Sequence, residues 1–480
     1  MVGELPSQDQ LDGLLGQGVP PLDPTPSGSG AARLEHQIPP VNPPTLLELA
    51  GNAWQRVDVS RLIMRLWGHL ALVGLAAWLG GCSSSDVDKA APAALPADES
   101  LKISFLVPDF GPLAATGLTP DVGDPKAQLD AYVKLVNREG GIAGRRIDAR
   151  YHWFNPIDDA TMRAACIAAT EDDHAFVVIG LPATTTAQMR CVAEEHATLM
   201  VSFTGLSAAL ARDTEGRAFS VSMSVEASAA AWARVLDERG DLDGHKIGVV
   251  TGDYAVDFDA AVDDGLLPEL RRLGYDPTLV RLPCESVLCE QHSVAVQRLR
   301  KAGVDFVFDA LGPGASPPFV GAAQAVGWSP TWTMWGDLVT DEIARFHQAS
   351  AAALAGTVGL SETENIGEVA GAKRCADAYA DAGGDPLEPN SSPYGFAAIG
   401  CSMLDLVAQA ADDANSLDQQ HFISAFERIR DGGYEPTRPL TFAPDEHDGN
   451  DWVILRSYDA SVPRWAPIDA ETWRDVRHQR

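Results

Sequence analysis

Leu101-Lys102-Ile103-Ser104-Phe105-Leu106-Val107 is a short, nearly continuous apolar run, the pattern of a strand buried on both faces. Eighteen or so residues on, the pattern changes: between Pro125 and Arg138 the apolar residues Leu129, Tyr132, Val133 and Val136 recur at helical spacing, and Gly140-Gly141 stops the helix. The next strand is expected over Arg146–His152, then a helix over Asp158–Thr170 and a strand over Ala175–Gly180. A helix over Thr184–His196 and a strand over Leu199–Phe203 follow. Strands joined through helices by short turns make a parallel sheet covered on both faces, an α/β arrangement. The alternation restarts after Ser222: a helix over Glu226–Arg239, a strand over Lys246–Thr251, a helix over Val256–Leu273 and a strand near Thr278–Leu282. It continues with a helix over Gln291–Ala302, a strand over Val304–Asp309, a helix over Ala315–Val326 and a strand over Pro330–Met334. Two doubly wound units in tandem follow, because about 400 residues exceed what one core can organise.

Upstream of this region lies a different signal. Leu66–Leu79 is an apolar run with Arg61 and Arg65 on its flank, and it ends in Leu79-Gly80-Gly81-Cys82. A basic flank, an apolar core and small residues before the end make a secretory leader. A membrane span wants roughly 20 apolar residues, more than this run offers. The tetrapeptide resembles the bacterial lipobox, in which the cysteine, here Cys82, takes the lipid and becomes the new N-terminus. Residues 64–81 are accordingly expected to be the signal peptide and residues 82–100, rich in Ser, Asp, Ala and Pro, a flexible tether. Residues 1–63 show no clear period and are expected to be a disordered extension or to precede the true start at Met64.

A formal charge of −31 argues against nucleic acid as a partner, since a phosphate backbone calls for a basic face. With Cys82 acylated, six of the seven cysteines remain, an even number suited to an oxidising compartment. Six cysteines allow fifteen connectivities; the pairs we take are Cys166 with Cys191, Cys284 with Cys289 and Cys375 with Cys401. A metal site is disfavoured by the lack of a CxxC pair or a His cluster of the usual spacing. Asp445-Glu446-His447-Asp448-Gly449 lacks the EF-hand spacing, and there is no phosphate loop ending in Lys-Ser or Lys-Thr, no H-E-x-x-H and no G-x-S-x-G elbow. No cofactor and no enzyme activity are expected.

Asn137-Arg138-Glu139-Gly140-Gly141-Ile142-Ala143-Gly144-Arg145-Arg146-Ile147 resembles the N-x-x-G-G-I-x-G-R-x-I turn of class I periplasmic binding proteins, in the branch that serves branched-chain amino-acid ABC importers. Val177-Val178-Ile179-Gly180, Thr184-Thr185-Thr186, Met200-Val201-Ser202, Gly252-Asp253-Tyr254 and Pro444 through Gly449 follow in the family's order. The resemblance implies a two-lobed clamp linked by three crossovers that closes on a small ligand by hinge motion. Lobe one would take residues 101–221 and 358–436, and lobe two residues 222–357 and 437–480.

The resemblance also implies ligand contacts. Thr184 and Thr185, at a helix start, would grip an acid group, and capping is compatible with that role. Thr204 and Ser207 lie on the loop after the next strand; here Phe203-Thr204-Gly205-Leu206-Ser207 departs from the family pattern, so which residue serves stays open. Tyr254 would cover the ligand. Asp337 would meet an α-ammonium, or else cap the helix beginning at Asp341. Tyr394 would pack on the ligand, with Trp335, Phe110 and Gly111 as further wall candidates. The function implied is a lipid-anchored capture protein outside the cytoplasm, handing a small amino acid or related carboxylate to an ABC permease. The alternative is a sensor of the same fold that reports to a membrane receptor.

Overall fold

The computed structural model describes residues 99–116, 121–252, 258–285, 288–336, 339, 341–363, 370–389, 391–433, 438–468 and 473–477. The leader, Cys82, nearly all of the tether and the expected ligand residues Tyr254 and Asp337 lie outside the described residues.

The first sheet contains β1 (Leu101–Pro108), β2 (Ile147–Phe154), β3 (Val177–Gly180), β4 (Leu199–Ser202) and β5 (Ala218–Ser220), all parallel, in the order β2-β1-β3-β4-β5. The quoted opening run behaves as its composition requires. Leu101, Ile103, Phe105 and Val107 enter one core with Val177, Ile179 and Val201, while Leu106 joins a second core on the other face with Val178 and Met200. Successive strand side chains point to opposite faces, so a strand covered on both sides is apolar throughout. β5 is only Ala-Phe-Ser, too short to register as a period in the sequence.

The turn between the first helix and β2 explains its own motif. The helix Pro125–Arg138 is capped by Asp124, whose side chain accepts from Ala127 N at 3.0 Å, and it buries Leu129, Tyr132, Val133 and Val136. Gly141 has φ +76°, and a Cβ there would sit 1.8 Å from the Arg145 carbonyl oxygen, because Ile142 and Arg145 bond each other across the turn. Asn137 then splices the helix to the strand: its side chain donates to Ile147 O at 3.0 Å and accepts from Ile147 N at 2.7 Å.

The second sheet holds β6 (Ile247–Gly252), β7 (Thr278–Leu282), β10 (Phe306–Ala310), β11 (Thr331–Trp335), β12 (Val358–Ser361), β13 (Trp452–Asp459) and β14 (Arg464–Pro467), in the order β14-β13-β12-β11-β10-β6-β7. β8 (Cys284–Glu285) and β9 (Leu288–Cys289) form a separate hairpin, and β15 (Arg474–Asp475) pairs with β13. From β7 to β12 the pairing is parallel, but β13 runs antiparallel to β12, and β14 to β13. β12 ends and β13 begins beside the same crossovers, Ser361 pairing with Ile454, so the returning chain can only run the other way.

These pairings correct the lobe boundaries. Val358–Ser361, assigned to lobe one from sequence, is a strand of the second sheet. Leu440 and Phe442, assigned to lobe two, are buried in the core of the first lobe. The helix Ser392–Asp413 is long and apolar enough to cross a membrane but packs into that same core.

The three expected disulfides are present: Cys166–Cys191, Cys284–Cys289 and Cys375–Cys401. Cys166–Cys191 closes a separation of 25 residues, and replacing both cysteines with alanine is expected to lower stability by about 3 kcal/mol, through the chain entropy returned to the unfolded state. Urea unfolding of the double variant checks this; an unchanged midpoint would contradict it.

Candidate functional site

Open parallel sheets offer ligands the loops at the carboxyl ends of their strands. After β3 the chain runs through Thr184 and Thr185 into the helix Thr186–Met189. The Thr184 hydroxyl donates to Leu181 O at 2.6 Å, and a Cβ on Gly180 would lie 2.9 Å from that hydroxyl, so the glycine lets Thr184 settle over the strand end. Thr185 forms a capping box with Gln188: Gln188 N donates to its hydroxyl at 3.3 Å, and Gln188 Oε1 accepts from Thr185 N at 3.1 Å. Its hydroxyl also lies 3.6 Å from Met162 Sδ. Both threonines are buried, at 1% and 3% exposure.

After β4, Thr204 turns its hydroxyl onto Thr184 O at 2.7 Å, and its N–H donates to Ser202 Oγ at 3.1 Å. The structure therefore brings Thr184 and Thr204 together. Ser207 is turned elsewhere; it caps the helix Ala208–Asp213 by accepting from Leu210 N at 3.3 Å. Between them Gly205 passes so close to the start of lobe two that a Cβ would stand 2.3 Å from Met223 O. Leu206 O accepts from Val225 N at 3.2 Å.

This loop is tied by a ladder of hydroxyls to the three stretches where the chain passes between the lobes: the first crossover after β5 (residues 221–224), the second after β12 (beginning at Glu362) and the third before β13 (residues 443–451). Ser220 Oγ donates to Thr204 O at 3.1 Å and accepts from Ser222 N at 3.0 Å, and Ser222 Oγ donates to Phe203 O at 2.7 Å. Ser220 also pairs with the third crossover, its N–H donating to His447 O and its carbonyl accepting from Gly449 N. Glu362, on the second crossover, accepts from Met223 N at 2.8 Å, Ser228 Oγ at 2.6 Å and Asn450 Nδ2 at 3.3 Å, so it touches the chain next to both other crossovers. Trp335, a candidate pocket wall from sequence, gives its indole N–H to Ser228 Oγ at 2.8 Å and stacks on Trp232. Asp448 accepts from Ser224 N at 2.8 Å. Burial pushes its carboxyl up to about 6, the Ser224 N–H opposes that, and the nearby Glu362 charge adds to it.

In lobe two, Asp309 at the end of β10 is fully buried. It accepts from Leu311 N at 3.1 Å and meets Ser316 Oγ at 2.6 Å, which fixes the Gly312-Pro313-Gly314 loop. Burial pushes its carboxyl up to about 7, with both hydrogen bonds acting the other way. Tyr394 packs among Ala372, Ala376 and Ala398, with Lys373 and Asp377 as the charges acting on its hydroxyl. It thus faces the helix Ala370–Asp381, and the structure does not group it with Thr184 and Thr204. A recess of about 280 Å³ is shared by both lobes, Arg345 of lobe two facing Asp121, Leu387, Glu388 and Ser391–Pro393 of lobe one. Among the described residues, Cys166, Cys191 and His196 have metal-ligand proximity, but the two sulfurs are bonded to each other.

Two doubly wound sheets joined by hydrogen-bonded crossovers define the class I periplasmic-binding-protein fold. A family profile described as "Periplasmic binding protein" matches residues 100–458, and the chain belongs to that family. The family consists of substrate-binding proteins that act outside the cytoplasm, not of enzymes. No curated protein matches the sequence.

Solved structures share the fold at low identity. A fatty acid ABC transporter substrate-binding protein from Thermomonospora curvata is 14% identical, over 79% of this chain and 93% of that one, with a TM-score of 0.59. A leucine-binding protein from Thermotoga maritima is 14% identical, over 78% and 99%, at 0.58. A solute-binding protein from R. palustris in complex with 4-hydroxybenzoate is 17% identical, over 79% and 98%, also at 0.58.

Proposed function

We propose that this chain is the lipid-anchored capture protein of an ABC importer, closing its lobes over a small amino acid or related carboxylate. The observation that carries the reading is the Thr204 loop, hydrogen-bonded to Thr184 on one side and to the first crossover on the other. A ligand that engages this loop acts directly on the segment that must bend, and its preference for the closed arrangement drives closure.

The hydroxyl protons narrow the ligand. Thr184 and Thr204 each donate to a carbonyl oxygen, and the half-buried Thr204 keeps only lone pairs to offer. A lone pair suits a donor such as an α-ammonium, which favours an amino acid over a plain benzoate. The amides opening the helix at Thr186 suit the carboxylate. Tyr254, Asp337 and Tyr394 remain proposed ligand contacts, and Thr185 and Ser207 act through the backbone they cap. Cys82 carries the lipid, so mass spectrometry of membrane fractions should find a diacylglyceryl cysteine there; an intact leader would contradict the anchor.

A ligand that binds only the folded protein raises its melting temperature. In a thermal-shift panel of amino acids and hydroxybenzoates, an amino acid is expected to give the shift. Thr204→Val should weaken that hit at least tenfold, about 1.4 kcal/mol. Unaltered affinity in the variant would remove the assignment. Thr185→Ala should instead cost about 1 kcal/mol of stability as a lost cap, with affinity little changed.

A further inference from the structure

The crossovers converge on a residue far from the ligand loops. Arg477 follows β15, and its backbone belongs to lobe two: Val476 N donates to Asp451 O at 3.0 Å, and Val476 O accepts from Arg234 Nη1 at 2.9 Å, Arg234 lying on the helix Val225–Glu238. Its guanidinium reaches Asp448 Oδ2 at 2.7 Å, Asp451 Oδ1 at 2.6 Å and the Glu446 carboxylate, and the side chain is only 18% exposed. Glu446 closes a turn with Ala443, directly after Phe442 of the lobe-one core. One arginine held by lobe two therefore grips a carboxylate on the lobe-one side, and two more along the third crossover.

We propose that Arg477 is a positioning residue for lobe closure: by holding Glu446, Asp448 and Asp451 together it latches the hinge and sets the balance between open and closed lobes without touching the ligand. The latch rests on the closure reading above. A guanidinium suits this task because it is always charged and presents several donors in a fixed fork. The groups around Asp448 are Arg477, Glu446, Asp451, Glu362 on the second crossover and the Ser224 N–H on the first. The neighbouring His447 is turned away, its ring meeting Glu427 and Ala218 O. When Asp448 takes up a proton, Arg477 loses one of its three anionic partners, so the latch weakens on the acid side.

Small-angle scattering of the purified, ligand-free protein tests this one pH unit above and below about 6. The wild type is expected to show a larger radius of gyration on the acid side. Arg477→Gln should show the larger radius at both pH values, Arg477→Lys should recover part of the difference at the higher pH, and Asp448→Asn should lose the pH dependence. A folded Arg477→Gln protein that scatters as the wild type at both pH values overturns the proposal. Should that variant not fold, a wild-type profile that does not move with pH overturns it equally. No solute is added, so an empty ligand screen would count against the capture reading and not against the latch.

Discussion

Asp309→Asn is expected to stabilise the protein above neutral pH and to flatten its stability profile. Asp309 is fully buried at the end of β10, and its carboxyl is pushed up to about 7 from an ordinary value of 3.8. Below about pH 4 it is protonated whether the chain is folded or not, and it contributes no difference. Between about 4 and 7 the unfolded chain gives up the proton while the folded chain keeps it, so the folded state binds more protons and stability falls as pH rises. Above about 7 the full cost is present; roughly three pKa units correspond to about 4 kcal/mol. Asparagine keeps an oxygen for Leu311 N and places an N–H toward Ser316 Oγ, without a charge to bury. Urea unfolding across this range should show variant and wild type converging in acid and diverging in base. Parallel profiles would sink the argument.

Glu362→Ala should produce the second large effect, a loss of about 3 kcal/mol, because removing this partly buried carboxylate takes an acceptor from three residues that are themselves buried. Met223 N, Ser228 Oγ and Asn450 Nδ2 all bond to this carboxylate. Glu362→Gln should cost less, since an amide oxygen still serves one of the donors. Chemical denaturation of both variants decides this, and equal stability of Glu362→Ala and wild type would show that the crossovers do not depend on the residue. Glu362→Ala also removes a negative charge near Asp448, whose carboxyl should then titrate lower.

The fold was legible because its signals are local. The apolar run of β1, the helical spacing from Leu129 to Val136 and the Gly141 stop each depend on residues a few positions apart, and each formed as read. The order of β12 and β13 was not, because an apolar strand buried on both faces reads the same whichever way its neighbour runs. The side to which Tyr394 turns was not legible for a related reason: it lies on the helix Ser392–Asp413, which is buried on so many sides that its pattern marks no single face. Thr185 carried both a cap and a ligand signature, and the geometry gives its hydroxyl to the cap. Glu362 and Arg477 left no sequence signal, and Asp448 left only its place in the turn from Pro444 to Gly449. They come from separate stretches of the chain, and only folding brings Arg477 onto Asp448 and the Glu362 charge near enough to act on it.

Two lobes that close over a small solute make the molecule more compact. Scattering of the mature protein with and without the solute found by thermal shift tests it most directly. The radius of gyration is expected to fall with added solute, to saturate with the binding curve and to stay at its solute-free value in Thr204→Val. A radius unchanged at saturating solute, or a solute chemically converted during the measurement, would contradict it.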